Sequence, residues 1–102
     1  MLLVLTTLPD QKSARALAGL LVRKKLAACV SVLGGVSSVY RWKGKTETSR
    51  EALVLIKTSR ASWKALKTFV LNRHPYELPE LIALPVAAGS KKYLDWVGQN
   101  VR

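Results

Sequence analysis

Alternating apolar and polar positions divide the chain into short segments with different periodicities. Residues 2–7 are apolar and β-branched and are followed by Pro9-Asp10, a pattern that predicts a buried strand. Asp10 is a residue type that caps helices. The apolar residues behind it recur with the 3, 4, 7, 8 spacing of an amphipathic helix. They are Ala14, Leu17, Ala18, Leu21 and Val22.

The middle of the chain predicts a long β-hairpin. Two strand-like runs, Ala28 to Leu33 and Val36 to Trp42, are separated by Gly34-Gly35. A further run, Glu51 to Thr58, is expected to pair back on them. The turn is predicted at Lys43-Gly44-Lys45, and a longer loop stays open as an alternative. Glu51 and Lys57, at the ends of their strand, are expected to be solvated or paired across a subunit boundary.

The last part of the chain predicts two helices with a strand between them. Ser59 is expected to cap the first helix, which ends before His74-Pro75. A strand follows from Leu81 to Val86, and Pro85 indicates a sheet edge at its far end. Gly89-Ser90 opens the last helix. The apolar stripes of these two helices are Trp63, Leu66, Phe69 and Val70, and then Tyr93, Leu94, Trp96, Val97 and Val101.

These elements predict an α+β fold in a single domain over residues 1–102. Merging the first glycine-bounded run with the hairpin arm gives the order β-α-β-β-α-β, the ferredoxin-like split motif, followed by an extra C-terminal helix. Two helices then cover one face of a four-stranded antiparallel sheet.

The other face of this sheet is also expected to be buried. A strand with one solvated face alternates apolar and polar residues. Here three strands are apolar at both odd-numbered and even-numbered positions, namely at residues 2–5, 53–56 and 81–84. The last helix can hide only part of that second face. We therefore expect a symmetric homo-oligomer that buries sheet against sheet.

Composition and charge narrow the class of protein. Of 102 residues, 49% are hydrophobic, which excludes a disordered chain. No apolar run approaches the ~20 residues of a membrane span, and no charged leader precedes a cleavage site. Cys29 is the lone cysteine; we expect it to pack as a small apolar residue, with a reactive or metal-binding thiol as the alternative. We expect a protein of the reducing cytoplasm, without membrane contact.

The formal charge of +11, from 17 basic and 6 acidic residues, raises the question of nucleic acid. The basic residues are spread along the chain and form no block of five or six. An RNA-binding domain shares the predicted strand order, but it needs a glycine–aromatic strand that no segment supplies. Nucleic acid is therefore an unlikely partner, kept as an alternative.

The segment from His74 to Glu80 carries the densest chemistry. Two prolines stiffen it, and the only histidine stands beside carboxylates. His74 could bind a divalent metal through its imidazole, with oxygen from Glu77 or Glu80, and this set favours copper or zinc. The alternative is a histidine that ends a helix and bonds to nearby backbone.

Aromatic residues form a second candidate site. Tyr40 and Trp42 share one strand face, since Arg41 between them points the other way. With Tyr76 they could stack a planar ligand in a cleft, or fill an interface or core. We find no nucleophile–base pair and no phosphate loop, so no catalytic activity is expected. An enzymatic function stays open as an alternative only if a catalytic pocket is shared between subunits.

Several blocks, in order and over the whole chain, resemble the CutA family of divalent-cation tolerance proteins. They are Thr6-Thr7-Leu8-Pro9-Asp10, Leu21-Val22, Leu26-Ala27-Ala28-Cys29-Val30, Ser38-Val39-Tyr40-Arg41-Trp42-Lys43-Gly44-Lys45, Glu51, Lys57-Thr58, His74-Pro75-Tyr76-Glu77-Leu78-Pro79-Glu80 and Tyr93-Leu94-Asp95-Trp96.

The resemblance implies a homotrimer with an extended hairpin, similar in shape to PII signalling proteins. It implies a role in tolerance of copper and other divalent metals, ligand sites in clefts between subunits, and no established catalysis. The chain departs from the family at three positions. Copper-binding members have Cys where Thr6 stands and His where Arg73 stands, and Ser31 replaces the usual Asn. Only His74 of that copper arrangement is present.

Overall fold

The computed structural model describes all residues from Met1 to Arg102 and contains four strands and three helices. In chain order they are β1 (Leu2–Leu8), α1 (Gln11–Arg23), β2 (Cys29–Trp42), β3 (Lys45–Thr58), α2 (Trp63–Arg73), β4 (Leu81–Pro85) and α3 (Lys91–Gln99). None of the helices is long and apolar enough to cross a bilayer.

The strands form one antiparallel sheet in the order β2-β3-β1-β4. Strand β1 lies in the interior of the sheet, where Val4 faces Ile56 of β3 on one side and Ala83 of β4 on the other. The predicted α+β fold, with its four-stranded antiparallel sheet and extra C-terminal helix, is confirmed. Strand β4 is an edge strand, as Pro85 indicated.

The β2–β3 hairpin gives the molecule its elongated shape. Each strand has 14 residues, which at ~3.3 Å per residue spans about 46 Å, and the longest dimension of the chain is 44 Å. The strands reverse at Lys43 and Gly44, whose φ angles of 50° and 80° fit the two-residue turn that matches strand twist. The predicted turn is confirmed, and the longer loop is excluded.

The glycine pair interrupts the register without ending the strand. The two predicted runs are one continuous strand, β2, with an irregularity between Leu33 and Val36. Gly35 has φ 70°, a conformation that glycine adopts without strain. A Cβ at Gly34 would meet the side chain of Gln11, the exposed first residue of α1, which would have to move aside. Strand β3 begins at Lys45, earlier than the predicted Glu51.

The core lies between the helices and the face of the sheet formed by even-numbered positions of β1 and β3. Val4, Val54 and Ile56 are fully buried, and burial of each such side chain stabilises the fold by roughly 1.5–3 kcal/mol. The opposing buried residues come from α1, α2 and the segment after α1. They are Ala14, Leu17, Leu21, Leu26, Ala27, Leu66 and Val70.

One of the two predicted caps is present. Asp10 accepts a hydrogen bond from the Ser13 amide at 2.7 Å and caps α1. The prediction that Ser59 caps α2 is wrong, because a turn intervenes and α2 begins at Trp63. The Ser59 hydroxyl instead accepts from the Ser62 amide at 3.3 Å within that turn.

The second face of the sheet carries no helix layer of its own, and we call it the helix-free face. Helix α3 contacts β3, and its Val97 is buried outside the main core. Leu33, Ile82 and Leu84 remain 47%, 51% and 43% exposed. As expected from the sequence, α3 leaves apolar side chains of the helix-free face uncovered in a single chain.

Candidate functional site

The segment from His74 to Glu80 joins α2 to β4 and runs past the end of β1. The His74 side chain ties it to that strand. Its Nε2 lies 2.8 Å from the Thr7 carbonyl and 3.2 Å from the Thr6 hydroxyl. Its Nδ1 accepts a hydrogen bond from the Tyr76 amide at 3.2 Å. The His74 ring thus holds the segment to β1 and also closes the tight bend between His74 and Tyr76.

These bonds define the protonation of His74. Nδ1 acts as an acceptor and the Thr7 carbonyl can only accept, so Nε2 carries the proton and the ring is neutral. Burial lowers the pKa of His74 below its ordinary 6.5, although the hydrogen bond to Thr7 and the charge of Glu51 oppose the change. Both ring nitrogens are engaged within the chain.

A buried carboxylate lies next to this anchor. Glu51 is 8% exposed and accepts a 2.6 Å hydrogen bond from the Tyr76 hydroxyl. Burial alone raises the pKa of Glu51, but hydrogen bonds from Ser38, Tyr76 and Thr7 outweigh it and hold the pKa below the ordinary 4.5. Burial and the bond to Glu51 raise the pKa of Tyr76. Glu51 is therefore a charged carboxylate that accepts a hydrogen bond from the neutral phenol of Tyr76.

A groove of about 950 Å³ opens beside this pair, between the hairpin and the segment after His74. It brings together five of the predicted site residues, three aromatic and two acidic, which are Tyr40, Trp42, Tyr76, Glu77 and Glu80. Aromatic faces, carboxylates and two exposed guanidinium groups, Arg41 and Arg50, line the same space. The groove can accommodate a small polar ligand with a planar part.

The remaining predicted site residues lie elsewhere. His74 stands behind Tyr76, with ring centroids 4.9 Å apart, and does not line the groove. Cys29 is half-buried on β2 across from Lys57, whose ammonium lies 3.9 Å from the thiol and 2.5 Å from the Ser31 hydroxyl. The chain contains no group of three His, Cys, Asp or Glu side chains placed to hold a metal.

Glu51, Arg41 and Arg50 are functional candidates that sequence reasoning did not select. Glu51 was expected to be solvated or paired across a subunit boundary, yet it is buried within one chain. It lies on β3 in register with Val36 of β2. The signal available in the sequence was its place at the start of an apolar run, where a strand enters the core.

Comparison with known proteins was made for the whole chain. The family model described as "CutA1 divalent ion tolerance protein" matches residues 2–100. The chain belongs to this family. The match covers the strands, all three helices and every groove residue named above, and the resemblance inferred from the sequence is confirmed.

Individual relatives extend from bacteria to plants. The chain is 44% identical over 97 residues to the "Divalent-cation tolerance protein CutA" of Thermus thermophilus, covering 95% of this chain and 94% of that protein. It is 41% identical over 101 residues to "Protein CutA, chloroplastic" of Arabidopsis thaliana, covering 99% of this chain and 56% of that longer protein.

Solved structures of this family share the fold. The Thermus thermophilus divalent cation tolerance protein superposes with a TM-score of 0.96 at 43% identity, covering 100% of both chains. The structure titled "Periplasmic divalent cation tolerance protein CutA" from Archaeoglobus fulgidus gives 0.94 at 32% identity, also over 100% of both chains. The backbone that frames the groove is thus common to this CutA chain and to distant members.

Proposed function

We propose that this CutA chain works in divalent-cation tolerance as a ferredoxin-like homotrimer. In this proposal the groove beside Tyr76 is its ligand site, completed by a neighbouring subunit. The observation that carries the proposal is the convergence of Tyr40, Trp42, Tyr76, Glu77 and Glu80 on one groove. These residues come from the hairpin and from the segment before β4, two regions distant in sequence.

Assembly follows from the helix-free face. Its exposed apolar side chains, among them Ile82 and Leu84, favour burial against another copy, at about 25 cal/mol per Å² of apolar surface removed from water. The sheet order β2-β3-β1-β4 is the arrangement expected of a ferredoxin-like split motif. Family membership supports a trimer similar in shape to PII proteins. The hairpin of each copy would then extend beside a neighbour and close the open side of its groove.

The donors of a single chain fit a copper site poorly. Both nitrogens of His74 are hydrogen-bonded, and Thr6 and Arg73 supply no soft ligand. Glu77 and Glu80 are exposed carboxylates at the groove. We therefore propose that a divalent cation, copper included, is taken up as a bound ligand through these carboxylates and a donor of the adjacent subunit. His74 then positions Tyr76.

The proposed compartment is the cytoplasm, since a lone cysteine without an intrachain disulfide suits a reducing environment. Two relatives bear the words "chloroplastic" and "periplasmic" in their names, so members of this family are found in more than one compartment. We propose no catalytic step: the Ser38 and Tyr76 hydroxyls at the groove both donate to Glu51, whose pKa lies below its ordinary value, so this carboxylate is a weak base.

Calorimetric titration with copper(II) and zinc(II) tests the site. The double variant Glu77→Gln, Glu80→Gln removes the proposed carboxylates, and Asp95→Asn removes a carboxylate of α3 that lies outside both the groove and the hairpin. We expect the first variant to lower affinity at least tenfold, about 1.4 kcal/mol, and the second less than twofold. Equal effects of the two variants would place the cation elsewhere.

A further inference from the structure

The basic residues of this chain are distributed unevenly between the two sides of the fold. We define the helix layer as residues 11–25 and 60–73, which contain α1, α2 and the residues that follow α1 and precede α2; the acidic cap of α1, Asp10, lies just outside it. This layer holds nine of the 17 basic residues and none of the six acidic ones. All nine are exposed. They are Lys12, Arg15, Arg23, Lys24, Lys25, Arg60, Lys64, Lys67 and Arg73.

The remainder of the chain is nearly balanced in charge. It carries eight basic residues and all six acidic ones, a net charge of +2, against +9 for the helix layer. The one ion pair, between Lys91 and Asp95 at 2.7 Å, lies on α3 outside the layer. The cations of the helix layer are therefore unpaired, and their field adds over distances within the ~8 Å screening length.

The position of one of these cations opposes helix stability. Lys64 is the second residue of α2, which has no acidic residue in its first turn and no side-chain cap, whereas the Asp10 carboxylate caps α1. The positive end of the helix dipole disfavours a cation there and favours a carboxylate. Residues that break a local stability rule in this way are expected at functional surfaces.

Cations from both parts of the helix layer meet on one aromatic ring. The Phe69 ring of α2 has the Lys24 ammonium 5.7 Å and the Arg73 guanidinium 4.4 Å from its centroid. The ring fixes one cation that follows α1 and one from α2 on the same aromatic group. The helix layer thus contains cations from two distant parts of the sequence, which the fold brings to one side of the molecule.

We propose that the helix layer binds the sugar–phosphate backbone of double-stranded nucleic acid without reading its sequence. Unpaired cations spread over a rigid two-helix surface suit the dense phosphate array of a duplex. A single strand is disfavoured because such proteins stack bases on free aromatic rings, and the Phe69 ring already carries two cations. From the sequence, nucleic acid was expected to be an unlikely partner because the basic residues form no block. In the structure, nine of these dispersed residues lie on the helix layer.

An anionic membrane is the less suitable partner. Helices that lie on membranes insert a row of bulky apolar side chains. Among its large apolar side chains the layer exposes only Val22 and Leu71 beyond 40%. The surface also lies opposite the helix-free face, so self-association through that face leaves it open to a partner.

The test uses the full chain and a fluorescein-labelled 20-base-pair DNA duplex, with anisotropy measured from 50 to 300 mM salt. Lys12→Gln, Arg15→Gln, Lys64→Gln, Lys67→Gln is the helix-layer variant. A second variant with glutamine at Lys43, Lys45, Lys91 and Lys92 has the same net charge of about +7, from +11 less four. Circular dichroism verifies that both fold.

We expect saturable binding at 50 mM salt, equal for two unrelated sequences. The helix-layer variant should lose at least tenfold in affinity and should flatten the salt dependence by about 0.9 per lost phosphate contact. The control should lose less than threefold. A further variant has arginine at Lys12, Lys64 and Lys67 and lysine at Arg15. It should retain binding, because it keeps the charge of these four positions and changes only the shape of the side chains.

Three results would overturn the proposal. Equal losses in the two glutamine variants would mean that net charge alone attracts the duplex. Absence of saturable binding at 50 mM salt would remove the nucleic acid. Sedimentation with phosphatidylserine vesicles but no affinity for the duplex would assign the surface to membranes instead.

Discussion

Replacing Tyr76 with phenylalanine tests the network beneath the groove. The substitution removes the hydroxyl that donates to Glu51 at 2.6 Å and keeps the ring that lies 4.9 Å from His74. Glu51 is only 8% exposed, so water replaces the lost donor poorly. The perturbation therefore isolates one charge-assisted hydrogen bond from the packing of the segment.

The expected loss of stability follows from the charge and burial of Glu51. A hydrogen bond to a charged group contributes roughly 1.5–3 kcal/mol, and an unsatisfied buried acceptor costs about as much. The hydroxyls of Ser38 and Thr7 continue to stabilise the carboxylate, which limits the damage. We expect Tyr76→Phe to lower the free energy of unfolding by about 2 kcal/mol.

Urea unfolding at neutral pH and one fixed protein concentration measures this loss. Tyr93→Phe is the matched control, because Tyr93 is 41% exposed on α3 and should change stability by under ~0.5 kcal/mol. In the background of Glu51→Gln the effect of Tyr76→Phe should shrink by half or more. A loss below ~0.5 kcal/mol, or an equal loss in both tyrosine variants, would refute the reasoning.

Three further predictions concern titration, the anchor and assembly. The pKa of Glu51 is lowered on folding, so its stabilising contribution is present above pH 4.5 and is lost as pH falls below that value. Chemical denaturation from pH 6 to 3 should show this decline in the wild type and a shallower one in Glu51→Gln. His74→Ala should lower the unfolding free energy by about 1–3 kcal/mol in metal-free buffer and hasten proteolysis after residue 74, because two backbone hydrogen bonds are lost. An unchanged digestion rate would contradict the anchoring role. Ile82→Asp should dissociate the proposed oligomer in sedimentation velocity, whereas Thr68→Asp, on the exposed side of α2, should not.

The fold could be predicted from the sequence wherever periodicity reflected burial. Residues 2–7 and the stripe from Ala14 to Val22 anticipated β1 and α1 because these positions face one core. The polar residues 45–50 gave no strand signal, since pairing with β2 rather than burial makes that part of β3 extended. The glycine pair indicated an end of pairing, but it marks an irregularity inside one strand, next to the side chain of Gln11.

The candidate site was only partly visible in the sequence. The stiff segment from His74 to Glu80 and the aromatic pair Tyr40 and Trp42 stood out by residue type, and the groove brings them together except for His74. The burial of Glu51 depends on how that segment folds over the end of β1, which no local pattern shows. The choice of His74 as a metal ligand stays a prediction, and its hydrogen bonds in one chain favour the alternative, a histidine bonded to backbone.

Sedimentation equilibrium of the wild-type chain tests the central claim most directly, because the proposed sharing of the groove between subunits depends on covering the helix-free face. At low micromolar concentration we predict a single species of about 34 kDa, three chains of 11.2 kDa each. A folded species of 11.2 kDa that persists across a tenfold concentration range would contradict the account, since the groove would then have no neighbouring subunit to complete it.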